Sequence, residues 1–142
     1  MNREKLTLML VEHEDLRLKP YKDSVGKLTI GIGRNLDDRG ITRDEAFYLC
    51  ANNIKEVEDD LDRDFPWWRQ LDEVRQLVLA DMCFNMGITV LSGFKRTLTA
   101  IQEHRFKDAA RFMLESKWAE QVGRRAERLA EMMRTGEEQP QG

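Results

Sequence analysis

The sequence has 142 residues, 41% of them apolar and 35% charged, with a formal net charge of −3. That length suits one ordinary domain able to bury a core without disulfides or metal. The composition excludes a disordered chain, no run approaches the roughly 18 apolar residues of a membrane-spanning helix, and the near-neutral charge argues against a dedicated nucleic-acid binder.

Charge is uneven along the chain. Residues 1–94 carry 13 Lys/Arg against 18 Asp/Glu, whereas residues 95–134 carry 10 against 6. Two readings stand: an ordinary solvated helical surface, or a basic lobe drawn to a polyanionic partner. Cys50 and Cys83 lie outside any C-x-x-C arrangement and are expected to be reduced, buried small hydrophobes.

In chain order, Leu6, Met9, Leu10 and His13 fall at helical spacing and predict a helix over 3–12. Pro20 stops any continuation, and Tyr21-Lys22-Asp23 reads as extended. Residues 24–27 suit a turn, and 28–32 are β-branched and strand-like, the one convincing sheet signal. Residues 35–40 read as a loop. Thr42-Arg43-Asp44-Glu45 is a capping box, opening a long helix to about residue 63. Asp72 is placed to cap a helix through Val74, Leu77, Val78, Met82 and Phe84, which Gly87 would end in a left-handed conformation. Shorter helices are expected near 94–103, 107–115 and 124–134, and a frayed tail at 137–142. The fold class is therefore mainly α (α+β). A small N-terminal β-hairpin lobe, about 13–41, leads into a connecting helix, about 42–63. An all-helical C-terminal lobe, about 72–134, carries the first helix packed on it, within a single domain over 1–136.

Hydrolysis of a glycosidic bond needs an acid for the departing oxygen and a second group to stabilise or attack the oxocarbenium-like carbon. Glu14 follows the first helix, Asp23 starts the hairpin and Thr29 sits on the facing strand, where its hydroxyl could hold a water against Asp23. With 26 acidic residues in the chain, such a triple also arises by chance. Glu14 then reads as a solvated helix-end carboxylate, Asp23 as a turn former and Thr29 as an ordinary strand residue.

The run from Glu14 through Pro20-Tyr21-Lys22-Asp23 to Leu28-Thr29-Ile30-Gly31-Ile32-Gly33 resembles the active-site signature of the phage-type lysozymes, the endolysins of glycoside hydrolase family 24 that include the T-even phage enzymes. That signature is Glu, eight residues, Asp, five residues, Thr, and the chain meets it without a gap. The resemblance continues at Ile41–Ala46, Phe84-Asn85-Met86-Gly87, Gly93-Phe94, Ser116-Lys117-Trp118 and Arg125-Ala126-Glu127-Arg128. It implies a lysozyme-like two-lobed fold and an N-acetylmuramidase. Such an enzyme cleaves the β-1,4 linkage between N-acetylmuramic acid and N-acetylglucosamine in bacterial peptidoglycan, with inversion.

By the same resemblance Glu14 is the general acid, and Asp23 and Thr29 hold or activate the water. Arg125 matches the arginine that pairs with the catalytic glutamate from the C-terminal lobe, a supporting role. Phe84, Asn35 and Thr97 fall at substrate-binding positions. Three departures touch the subsites: Arg34 replaces a His, Asn35 a Leu, and Phe112 an Asn, and the 34–40 loop is short. Trp67, Trp68 and Trp118 read either as sugar platforms or as core, with core favoured for Trp118. His13 lacks the further ligands a metal site requires, so neither a metal nor a cofactor is expected.

Peptidoglycan is the expected partner, with no nucleic acid and no membrane insertion, and the chain is expected to act as a monomer. The first ten residues show no signal-peptide core, which implies residence in the host cytoplasm until a separate route, such as a holin, opens the way. Two rivals remain: a lytic transglycosylase, which has no use for a water-holding pair, and a cell-wall-binding homologue without turnover.

Overall fold

The computed structural model describes residues 1–139. It divides into two compact units, Met1–Leu49 and Cys50–Gly142. Of the expected tail, residues 140–142 lie outside the described residues.

In the first unit, helix α1 spans Arg3–Glu14. Asn2 caps it, its side chain accepting from the Lys5 N–H at 2.9 Å, and the amide of Asp15 closes its far end onto the Val11 carbonyl. The helix thus runs two residues past the expected end and includes Glu14. Strands β1 (Arg17–Lys22), β2 (Leu28–Gly31) and β3 (Arg34–Asn35) follow as an antiparallel meander. Tyr21 pairs with Thr29 and Thr29 with Asn35, so these three side chains share a face. Pro20 is accommodated because β1 is an edge strand with an irregular register before Tyr21. The sequence places Asn35 in a loop, but two ladder pairs with β2 make Arg34–Asn35 a strand, in a stretch too short to carry a periodic signal.

Helix α2, Arg43–Asp64, opens on the expected capping box, with the Glu45 N–H donating to Thr42 Oγ1 at 3.2 Å and the Thr42 N–H to Glu45 Oε1 at 2.8 Å. Of its periodic apolar positions only Val57 and Leu61 are buried.

The second unit continues with a 3-10 turn at Pro66–Gln70 and helices α3 (Glu73–Met86), α4 (Ile88–Ser92) and α5 (Lys95–Gln102). Helices α6 (Phe106–Leu114), α7 (Lys117–Val122) and α8 (Arg124–Thr135) complete it. Asp72 caps α3 as expected. Gly87 ends it at positive φ, but its ψ of 158° is extended rather than left-handed helical, which lets the chain turn straight into α4. Helices α4 and α7, of five and six residues, were not anticipated, being too short for periodicity to announce. Ala126, Leu129, Ala130 and Met133 form the inner face of α8, packed on α6.

Leu61, Val78, Leu79, Met82, Leu91, Ile101, Met113 and Met133 are completely buried. Each contributes roughly 1.5–3 kcal/mol of burial. The first unit has no fully buried apolar side chain among its described residues, and Thr29 is its only buried residue. Hydrogen-bonded turns and caps, rather than a core, therefore define its local geometry. No helix among the described residues is long and apolar enough to cross a membrane.

Candidate active site

The hairpin fixes Asp23 first. Its Oδ1 accepts from the Val25 N–H at 3.0 Å and the Lys27 N–H at 2.8 Å, and its own backbone N–H donates to the Lys27 carbonyl at 2.9 Å. An Asp at the head of a tight turn makes such bonds readily. Oδ2 receives none of them, so the residue is a turn former and still presents one carboxylate oxygen. Thr29 follows two residues past the turn, 3% exposed, its hydroxyl donating to the Lys27 carbonyl at 2.9 Å. The hydroxyl's proton is thereby committed, and its lone pairs remain to accept from a water.

Glu14 comes from the other side, as the last residue of α1. Its carboxyl lies over Gly33: a Cβ at that glycine would stand 2.9 Å from Glu14 Oε2 and 3.1 Å from Cδ. Gly33 also has φ of +71°, so both backbone conformation and the approach of Glu14 require glycine there. The Gly-Ile-Gly run signals this position in the sequence, though its service as the floor beneath Glu14 was not anticipated. The first unit thus carries all three residues, Glu14 at the end of α1 over Gly33, Asp23 at the β1–β2 turn and Thr29 on β2.

Asn35, expected at a substrate position, is tied into the return that follows β3. Its Oδ1 accepts from the Asp38 N–H at 2.9 Å and its Nδ2 donates to Asp38 Oδ2 at 3.0 Å. Arg34 donates through Nη1 to Glu45 Oε1 at 2.6 Å and to the Gly40 carbonyl at 3.3 Å. That guanidinium and the Thr42 amide hold the Glu45 carboxyl down at about 2.

The remaining candidates belong to the second unit. Phe84 is exposed on α3, and Thr97 is buried on α5 with 3% exposure. Arg125 opens α8 and pairs with Asp81 of α3, its Nε at 2.8 Å and Nη2 at 2.7 Å from Oδ1. The resemblance implies a pairing of Arg125 with the catalytic glutamate; the carboxylate it meets in its own unit is Asp81, 44 residues away in sequence and so without a local signal.

Trp118 is buried, its indole N–H donating to Asn85 Oδ1 at 2.7 Å and its ring meeting Phe94 edge-on. Trp68 is also core, bonded to Asp62, while Trp67 is half-buried against Phe65. The pair therefore does not stand in the open. Cys50 and Cys83 are both free; Cys83 is buried, which raises its thiol above the ordinary value, and Cys50 is exposed rather than buried as expected.

A helix-end carboxyl over a hairpin bearing a second carboxylate and a hydroxyl suits a glycosidase that works with two acids. A family model described as phage lysozyme matches residues 11–136, and the chain belongs to that family. Among curated proteins it is 28% identical to Probable T4-type lysozyme 2 of Dictyostelium discoideum, over 90% of this chain and 92% of that one. Probable T4-type lysozyme 1 of the same organism is 27% identical over the same shares. The pre-baseplate central spike protein Gp5 of Enterobacteria phage T4 is 28% identical, the match covering 90% of this chain and 27% of the spike protein. The chain is accordingly a lysozyme-type, glycosidase-class protein with a lysozyme-like α+β fold.

Proposed function

We propose that the chain is an N-acetylmuramidase that hydrolyses the β-1,4 bond between N-acetylmuramic acid and N-acetylglucosamine in bacterial peptidoglycan. Glu14 gives its proton to the departing glycosidic oxygen as the bond to the anomeric carbon breaks. A water held by Asp23 Oδ2 and the Thr29 hydroxyl attacks that carbon from the opposite face, its proton passing to Asp23. The single observation that carries this reading is the division of labour at Asp23. One oxygen builds the turn that places Thr29, and the other is left over for chemistry.

Phe84 and Thr97 are proposed as sugar contacts and Arg125 as a supporting cation, on the family match alone. Asn35, whose amide is occupied by Asp38, would act through the shape of the loop rather than a free amide.

The test is release of reducing ends from purified peptidoglycan by wild type and Glu14→Gln side by side. Loss of the acid should cost about 10²–10⁴-fold. A Glu14→Gln protein that keeps a tenth of the wild-type rate would refute the assignment. Product mass separates hydrolysis, which adds water, from transglycosylation, which leaves an anhydro sugar.

A further inference from the structure

Within its own unit, Met1–Leu49, nothing donates to the Glu14 carboxylate and no cation pairs with it. What meets the carboxyl is the Gly33 backbone, close enough that a Cβ there would stand 3.1 Å from Cδ and 3.2 Å from Cγ. Within this unit the position of the acid is therefore tied to where residues 31–35 lie.

Two constraints place that segment. From one side the ladder holds it, with Ile30 paired to Arg34 and Thr29 to Asn35, and the Leu36 N–H bonded to the Leu28 carbonyl at 2.7 Å. From the other side comes the Arg34 side chain, one residue beyond Gly33. Its Nη1 reaches across the 35–42 loop to the Gly40 carbonyl and Glu45 Oε1. Glu45 is itself immobilised at the start of α2 by the Thr42 N–H.

We infer that the Arg34–Glu45 pair is a positioning device for the acid, fixing the backbone on which the Glu14 carboxyl rests. Arg34 and Glu45 are then positioning residues for the reaction proposed above, and the inference rests on that reading of Glu14. A half-exposed ion pair adds little to global stability. Its leverage is local, because a displacement of about 1 Å at a reacting group can cost on the order of 10²-fold in rate.

The experiment compares wild type, Arg34→Ala, Glu45→Gln and Thr42→Ala on soluble peptidoglycan fragments. Glu45→Gln keeps an oxygen for the Thr42 amide and removes the charge. Thr42→Ala breaks the other half of the capping box and leaves the ion pair standing. We expect kcat to fall about tenfold in the first two variants, with KM within about twofold, because the lost interaction acts on the chemical step. Thr42→Ala should lower the melting temperature without changing kcat, and Arg34→Lys, which restores a cation to Glu45, should recover most of the loss.

In parallel the 13C carboxyl resonance of Glu14, assigned through its disappearance in Glu14→Gln, should move in Arg34→Ala and Glu45→Gln and stay in Thr42→Ala. A resonance unmoved in both pair variants overturns the inference whatever the turnover. So does a kcat that merely tracks melting temperature across all three. A wild type that does not turn over while the resonance moves would sink the proposed reaction and leave the positioning intact.

Discussion

The carboxylate of Glu14 and the α-carbon of Gly33 are so close that a methyl group on the glycine would stand 2.9 Å from Oε2. Gly31, two residues earlier, has almost the same backbone conformation, φ +72° against +71°, yet a Cβ there meets nothing within 4 Å. The two glycines form a matched pair. Alanine at either position should cost about 1–2 kcal/mol of stability through the positive φ. Only Gly33→Ala should also displace Glu14 and abolish most of the lytic activity. Denaturant melts and a cell-wall clearing assay on both variants check this; equal activity in the two would mean that the contact with Glu14 has no functional weight.

Asp23 separates in the same way, by oxygen. Asp23→Asn retains an Oδ1 for the Val25 and Lys27 amides, so the turn should stand and the melting temperature should barely move. Asp23→Ala loses those acceptors and should cost about 1 kcal/mol more, in the range of a lost side-chain cap. Both should lose activity, since neither keeps the carboxylate that would take a proton from water. A fully active Asp23→Asn would reduce the residue to a turn former.

Glu45 makes a prediction in acid. Its carboxyl is held at about 2, against an ordinary 4.5, by the Arg34 guanidinium and the Thr42 amide. A carboxyl whose folded value is depressed stabilises the fold above its unfolded value, and that contribution disappears as pH falls through the folded value. The melting-temperature gap between wild type and Glu45→Gln should therefore be constant above about pH 5, narrow between about pH 4.5 and 2, and vanish below. Melting temperatures across pH 2 to 7 read it directly; a gap that persists undiminished at about pH 2 would show that the pair is not the source of the difference.

Arg125 and Asp81 are 41% and 37% exposed, the range in which an ion pair contributes less than about 1 kcal/mol. Arg125→Ala should consequently leave the melting temperature nearly unchanged. If Arg125 supports the reaction, peptidoglycan turnover should nonetheless fall severalfold. A large stability loss, or turnover equal to wild type, would contradict the supporting role proposed for it.

Much of this was legible where the signal was local. The capping box at Thr42 and Glu45, the Asp72 cap and the hairpin from Tyr21 to Thr29 follow from residue types at fixed short spacings. Glu14, Asp23 and Thr29 were legible as a spaced triple through family resemblance, while their bonding was not. Illegible features depend on groups far apart in sequence or on segments shorter than a period: β3, α4, α7, the Arg34–Glu45 pair and the Arg125–Asp81 pair. The charge split along the chain also changes meaning on folding. The cations of 95–134 belong to a unit that also holds the acids of α2's second half, so residues 50–142 carry 14 Lys/Arg against 17 Asp/Glu. Five of those ten cations, Arg96, Arg105, Arg111, Arg125 and Arg134, are paired with carboxylates.

The placement of the aromatic residues has a spectroscopic consequence. Trp67, Trp68 and Trp118 all fall within Cys50–Gly142, two of them with indole N–H groups bonded to Asp62 and Asn85. Tyr21 stands in the hairpin opposite Thr29. Indole emission during a thermal scan thus records the fate of the body with the apolar core, and is blind to the unit that carries Glu14, Asp23 and Thr29. Local opening need not coincide with global unfolding, and the least cored segment is the first candidate for it. Enzyme inactivation at a temperature below the emission midpoint, accompanied by an early change in tyrosine absorbance, is the signature that this distribution of chromophores makes observable.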